Sequence, residues 1–190
     1  MTTEVSQSPP SVLVVEDERS LAEIYTRWLS ERYDVESVHD GEAALVAFDE
    51  SVDVVLLDRM LPGVSGDHVL GRIRDSQGDC RVAMVSAVEP DFDIYDMGFD
   101  DYLLKPASRE EMLDLIERLL RLDDYDEGLR RHFMLSSKLA LLQDHKSKEE
   151  LEGSEEYAAL QAEMEELDRE LTEAVSEMSA SDIGAVLRDA

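Results

Sequence analysis

Three carboxylates in this chain are placed so that a parallel sheet would bring them together. Glu16 and Asp17 directly follow the apolar run Val12–Val15, and Asp58 directly follows Val54–Leu57. Short, continuous Val/Leu runs read as strands buried on both faces of a sheet. Acids at the ends of adjacent strands then converge and repel one another unless a hard cation neutralises them, and an all-oxygen set with room for retained water suits Mg²⁺. Two more groups end runs of the same kind, Ser86 after the fourth and Lys105-Pro106 after the fifth. The set is a metal-binding carboxylate cluster with a hydroxyl donor and a fixed cation, which is equipment for handling a phosphoryl group. Singly, an acid after a strand is an ordinary loop residue; the weight lies in several such positions falling in register.

The elements that must hold these groups alternate regularly. Strands are expected at Val12–Val15, 33–38, 53–58, 81–86 and 101–104. A helix with Leu21, Ile24, Tyr25, Trp28 and Leu29 on one face follows the first, and further helices are expected near 41–50, 67–75, 91–98 and 108–121. Five strands interleaved with five helices predict a doubly wound α/β fold with a five-stranded parallel sheet, where function gathers at the carboxyl ends of the strands. After Leu122 the β signal stops. One helical stripe carries Tyr125, Leu129, Phe133, Ser136, Leu139 and Leu142, and a polar break covers 143–150. A second stripe runs through Tyr157, Leu160, Met164, Leu167, Leu171, Ala174 and Met178 at alternating spacings of three and four. That stripe needs a partner, either the preceding helix in a hairpin or a second subunit in a homodimer. A last short helix is expected to start at Ser181 or Asp182 and to bury Ile183, Val186 and Leu187. The organisation is thus a flexible leader at 1–10, an α/β domain at 11–121 and an all-α domain at 122–190.

The segments VLVVEDE, VVLLDRMLPGVSG, AMVSA and DYLLKPAS, in that order, resemble the receiver domain of two-component response regulators, the CheY-like fold, over about residues 11–121. The resemblance implies that Asp58 is the phosphoacceptor, attacking the phosphohistidine of a sensor histidine kinase to form an acyl phosphate. It also implies that Glu16 and Asp17 bind Mg²⁺ together with Asp58 and the backbone carbonyl of Met60. Lys105 would pair with a phosphoryl oxygen, Ser86 would hydrogen-bond the phosphoryl group, and Tyr102 would be the aromatic switch that turns inward when that hydroxyl moves. Glu16 stands where the family favours an aspartate. By the same resemblance, Arg59 and Met60, which flank Asp58, would tune acyl-phosphate lifetime. A chain of this kind is a signalling phosphoacceptor that catalyses only its own phosphorylation and dephosphorylation, and is otherwise not an enzyme.

Residues 122–190 resemble the HalX domain that follows receivers in haloarchaea, through the run from Tyr125 to Leu171. This implies control of transcription, by contact with DNA or with the transcription machinery. The competing reading is a protein-docking or oligomerisation module that acts without DNA. Arg130, Arg131, Lys138, Lys146 and Lys148 form the most basic stretch there, whose bland reading is a solvated helix face.

Composition agrees with this picture. The formal charge is −28, from 46 acidic against 18 basic residues, and both halves of the chain are acidic. Only four lysines occur, a pattern that resembles cytoplasmic proteins of extreme halophiles. Such a charge disfavours simple phosphate-backbone binding in dilute salt, although molar salt shortens the Debye length to about 3 Å and screens the repulsion. The lone Cys80 excludes an intramolecular disulfide. The absence of a signal peptide and of any run of about 20 apolar residues points to a cytoplasmic protein without membrane association. His39, His68, His132 and His145 lack ligand spacing, and neither a phosphate-binding glycine loop nor a dinucleotide fingerprint occurs.

Overall fold

The computed structural model describes residues 8–76, 80–122 and 127–177, with side chains through residue 173. Its five strands are β1 (Ser11–Val15), β2 (Asp34–Val38), β3 (Val54–Leu57), β4 (Arg81–Ser86) and β5 (Asp101–Leu104). They form one parallel sheet in the order β2-β1-β3-β4-β5. Every residue of β3 and β4 is buried, because helices cover both sides, and this is why these strands read as unbroken apolar runs.

The helices are α1 (Arg19–Leu29), α2 (Gly41–Ala47), α3 (Gly66–Asp75), α4 (Arg109–Arg121), α5 (Glu127–His145), α6 (Lys148–Gly153) and α7 (Glu155–Glu177). The start signals are local. Asp40, Ser65 and Ser108 each accept a backbone N–H of the first turn of α2, α3 and α4, and Ser108 and Glu111 complete a reciprocal capping box. On one face of the sheet α1 and α4 pack Tyr25, Leu29, Met112, Leu115, Ile116 and Leu119 against Val12, Val14, Val54 and Leu56. On the other, α2 and α3 bring Ala44, Val69, Leu70 and Ile73 onto Leu13, Val15, Val55 and Leu57.

Residues 91–98 depart from the expected helix. Only a 3-10 turn forms, Phe92–Asp96, with Ile94 as its one fully buried side chain. Asp91, Asp93 and Asp96 crowd the segment with poor helix formers of like charge, Asp91 caps it, and Met97 is already extended. Expected ends elsewhere move by a residue or two, and α2 stops at Ala47 with Phe48 extended.

The C-terminal helices form an intrachain antiparallel hairpin, in which α5 lies against the α7 stripe. Arg131 pairs with Glu163, His132 with Asp168, and Gln143 donates to the Tyr157 hydroxyl at 2.8 Å. Leu160 and Leu167 are buried and Met164 and Leu171 pack beside them. On α5 the buried positions are Leu135, Lys138 and Leu142, whereas Phe133 is 44% exposed. Leu139 and Leu142 of the expected stripe do face the core, but Phe133 does not, because α5 packs on α7 with one side and on β5 and the 3-10 turn with another, which buries Leu135 and Lys138 as well. The aliphatic stem of a lysine serves in that second contact. The expected polar break at 143–150 shrinks to residues 146 and 147, since α5 runs on to His145 and α6 begins at Lys148, announced by the Ser147/Glu150 capping box. Tyr125, Ala174 as a packing residue, Met178 and the expected helix from Ser181 lie outside the described residues. The hairpin does not build a core of its own: Leu135, Leu142, Tyr157, Leu160 and Leu167 belong to the same cluster as the α2/α3 face of the sheet.

Candidate phosphoacceptor site

The carboxyl ends of β1, β3, β4 and β5 position the site through the sheet's own hydrogen bonds. The Glu16 amide donates to Val38 O (3.0 Å), the Asp58 amide to Val15 O (2.9 Å) and the Lys105 amide to Ser86 O (2.9 Å). Each functional residue is thus the next rung of a ladder and inherits its direction from a buried strand. Gly66 at the start of α3 packs so closely that a Cβ there would lie 2.1 Å from Asp58 O and 2.8 Å from Arg59 Cα. The loop after Asp58 tolerates no side chain at that point.

Glu16 and Asp58 are buried and Asp17 is exposed, and one carboxylate oxygen of each lies within 4.8 Å of the others. Asp58 Oδ1 accepts from Ser86 Oγ at 2.8 Å and from the Met60 amide at 3.0 Å. Asp58 Oδ2 pairs with the Lys105 ammonium, which also reaches Glu16 at 2.5 Å. Burial raises the Glu16 pKa, with the hydrogen bond and charge of Lys105 acting in opposition. Burial alone would lower Lys105, but hydrogen bonds and charges from Asp58 and Glu16 outweigh it and hold the ammonium above its ordinary pKa. Three carboxylates against one ammonium leave the cluster short of positive charge, and an all-oxygen set of this spacing fits a hard divalent cation. The Lys105–Pro106 peptide is cis.

Tyr102 is already turned inward, 5% exposed, with its hydroxyl donating to Val88 O at 2.6 Å and its ring edge-on to Phe99 at 5.6 Å. All the residues singled out from the sequence, Glu16, Asp17, Asp58, Met60, Ser86, Tyr102 and Lys105, therefore meet around one strand-end crevice. Within the basic stretch of the C-terminal region, Arg130 and Arg131 line a hollow with Arg74 and Arg81 that also holds Asp100 and Glu127. Lys138 is buried, Arg131 and Lys146 pair with Glu163 and Asp91, and Lys148 pairs with Glu152 along its own helix. Sequence reading missed the ion pairs of Arg59 with Asp67 and Asp93. Their only trace in the chain is an arginine next to Asp58 followed by acids eight and 34 residues later.

Comparison with known proteins agrees with this geometry. The model of the response regulator receiver domain matches residues 12–117, and that of the HalX domain matches 121–187. The chain belongs to the response regulator receiver family. A Haloferax volcanii protein named "Putative transcriptional regulator" is 47% identical over 155 residues, which is 81% of this chain and 26% of that protein. Sensory transduction protein RegX3 of Mycobacterium tuberculosis is 41% identical over 123 residues, covering 62% of this chain and 54% of the relative. The chain thus spans a quarter to a half of the length of these relatives. Among solved structures, the BeF3-activated receiver domain of DrrB superimposes with a TM-score of 0.56 at 25% identity, covering 60% of this chain and 99% of that one. The response regulator DrrB of Thermotoga maritima gives 0.55 at 26%, covering 63% and 58%.

Proposed function

We propose that this chain is a response regulator that takes a phosphoryl group onto Asp58 from the phosphohistidine of a sensor kinase and passes the signal to its C-terminal hairpin. The observation that carries this is the convergence of Ser86 Oγ and Lys105 on the two oxygens of Asp58, beside Glu16 and Asp17. In the transfer, an Asp58 oxygen bonds to phosphorus while the P–N bond breaks and its electron pair returns to the imidazole. Lys105 would move its charge onto the arriving phosphoryl oxygens and Ser86 would donate a hydrogen bond to them. Glu16, Asp17 and Asp58, with the carbonyl of Met60, are the residues that would hold Mg²⁺, which when bound offsets charge on the transferring group. The chain is then its own phosphorylation catalyst and a signalling phosphoacceptor.

For the output, the relative in Haloferax volcanii supports control of transcription. Burial or pairing of Lys138, Arg131, Lys146 and Lys148 favours contact with a protein of the transcription machinery over a phosphate backbone. No helix among the described residues is long and apolar enough to cross a membrane. The site is tested by labelling with a small phosphodonor and Mg²⁺ in high KCl. Asp58→Asn should abolish the label, and undiminished labelling of that variant overturns the assignment. The output is tested by crosslinking and recovering DNA from the native host: promoter sites lost in Asp58→Asn support transcriptional control. No enrichment in activated wild type supports the docking module instead.

A further inference from the structure

Arg59, the residue after the acceptor, ties the site to the hairpin. Its side chain is only 12% exposed, and the guanidinium is shared between Asp67 on α3, at 3.0 Å from Nε, and Asp93 in the 3-10 turn. Its charge also acts on the Tyr102 hydroxyl, which donates to Val88 O at 2.6 Å: burial raises that group's pKa and the Arg59 cation opposes the rise. Ser86 donates to Asp58. Arg59 thus directly follows Asp58 in the chain and places its charge near the Tyr102 hydroxyl. Tyr102 is already inside and Ser86 already points at Asp58, so neither has to rotate to complete the site. Arg59 is the neighbouring cation whose charge is spent elsewhere.

The 3-10 turn that Arg59 holds is also the seat of the hairpin. Lys138 of α5 donates to Tyr95 O at 2.8 Å and sits 5.4 Å over the Phe99 ring. Lys146 pairs with Asp91 at 2.9 Å and sits 5.5 Å over Phe92. We propose that Arg59 is a second phosphoryl-binding cation of this site, and that in engaging a phosphoryl group on Asp58 it releases Asp93 and loosens the hairpin's seat. A phosphoryl group carries close to two negative charges and accepts the guanidinium fork bidentately. Asp93 offers one charge on a side chain 52% exposed, where water readily replaces the pair. Binding at Asp58 and the Arg59–Asp93 pair then oppose each other, and the opposition is reciprocal.

The inference rests on Asp58 being the acceptor, so the experiment separates the two. Beryllofluoride, a phosphoryl mimic, is titrated calorimetrically into the full chain with Mg²⁺ in molar KCl, alongside amide exchange of residues 91–96 and α5. Arg59→Ala should weaken binding about tenfold and Asp93→Asn should tighten it about fivefold, while the double variant matches Arg59→Ala. Exchange at 91–96 should rise in wild type with beryllofluoride, and in Asp93→Asn without it. Asp93→Asn keeps the shape of an exposed side chain, so loss of fold does not obscure its result. Unchanged or weaker binding by Asp93→Asn, or unchanged binding by Arg59→Ala, overturns the role of Arg59 alone. No binding by wild type, or equal binding by Asp58→Asn, overturns the acceptor reading and this inference with it.

Discussion

The two halves of the molecule are held by different means. In residues 11–122 the central strands β3 and β4 are buried from both sides, and the polar groups of the site sit at ladder positions where backbone hydrogen bonds fix them. The hairpin reaches the sheet through one shared apolar cluster and through polar ties at its margin, Ser137 to Asp101, Lys138 to Tyr95 and Lys146 to Asp91. Chemistry that needs carboxylates held to within an ångström lies in the first region. A part that has to move in response is better held by contacts that water and salt can replace.

The largest expected effect tests the first half of that contrast. Lys105→Met removes the ammonium shared by two buried carboxylates, and should slow Mg²⁺-dependent phosphorylation by about a hundredfold. Single-turnover labelling checks it, and a rate close to wild type would remove Lys105 from the reaction. Next comes a pair of core truncations. Leu115→Ala on α4 and Leu160→Ala on α7 each empty a fully buried site and should each cost about 2–5 kcal/mol. Because Leu160 shares its cluster with the sheet, thermal unfolding of Leu160→Ala should remain one transition. A separate early transition would show that the hairpin melts independently.

A smaller effect is expected from pH. Burial pulls Lys138 down to about 8 from its ordinary 10.5. Between those values the unfolded chain binds the proton that the folded chain has released, so stability rises with pH across that window. Lys138→Met should flatten the rise in melts at constant KCl; an unchanged slope would assign it to other groups. Least of all, Arg131→Ala should cost about 0–1 kcal/mol, since Arg131 is 54% exposed and its pair with Glu163 is screened by salt. A larger loss would mean that ion pairs hold the hairpin shut.

The strands and the acids behind them were legible because a strand buried on both sides leaves an unbroken Val/Leu run, and the residue after it is the residue at the site. What depended on long-range packing was not. The run 91–98 has helical spacing at Ile94 and the residues around it, yet clustered aspartates limit it to one turn. The face of α5 was legible only in part: Leu142 is buried as expected, but Phe133 counts as apolar and Lys138 as polar, although packing against Phe99 and Tyr95 buries the second and leaves the first half out. That α7 lies against α5 turned on matches such as Gln143 with Tyr157, which no periodicity encodes. The Ser147/Glu150 box was present in the sequence and would have revealed α6.

The order of the strands bears on solubility. β2 and β5 are the two margins of the sheet, and an unguarded margin is a template for pairing between molecules. β2 carries exposed Asp34 and Glu36 outward, a repulsive guard that weakens in the molar salt suited to so acidic a chain. β5 relies on α5 lying beside it, with Ser137 bonded to Asp101. A receiver cut off before α5 would therefore aggregate through its β5 side, and would do so more readily in high salt than the full chain.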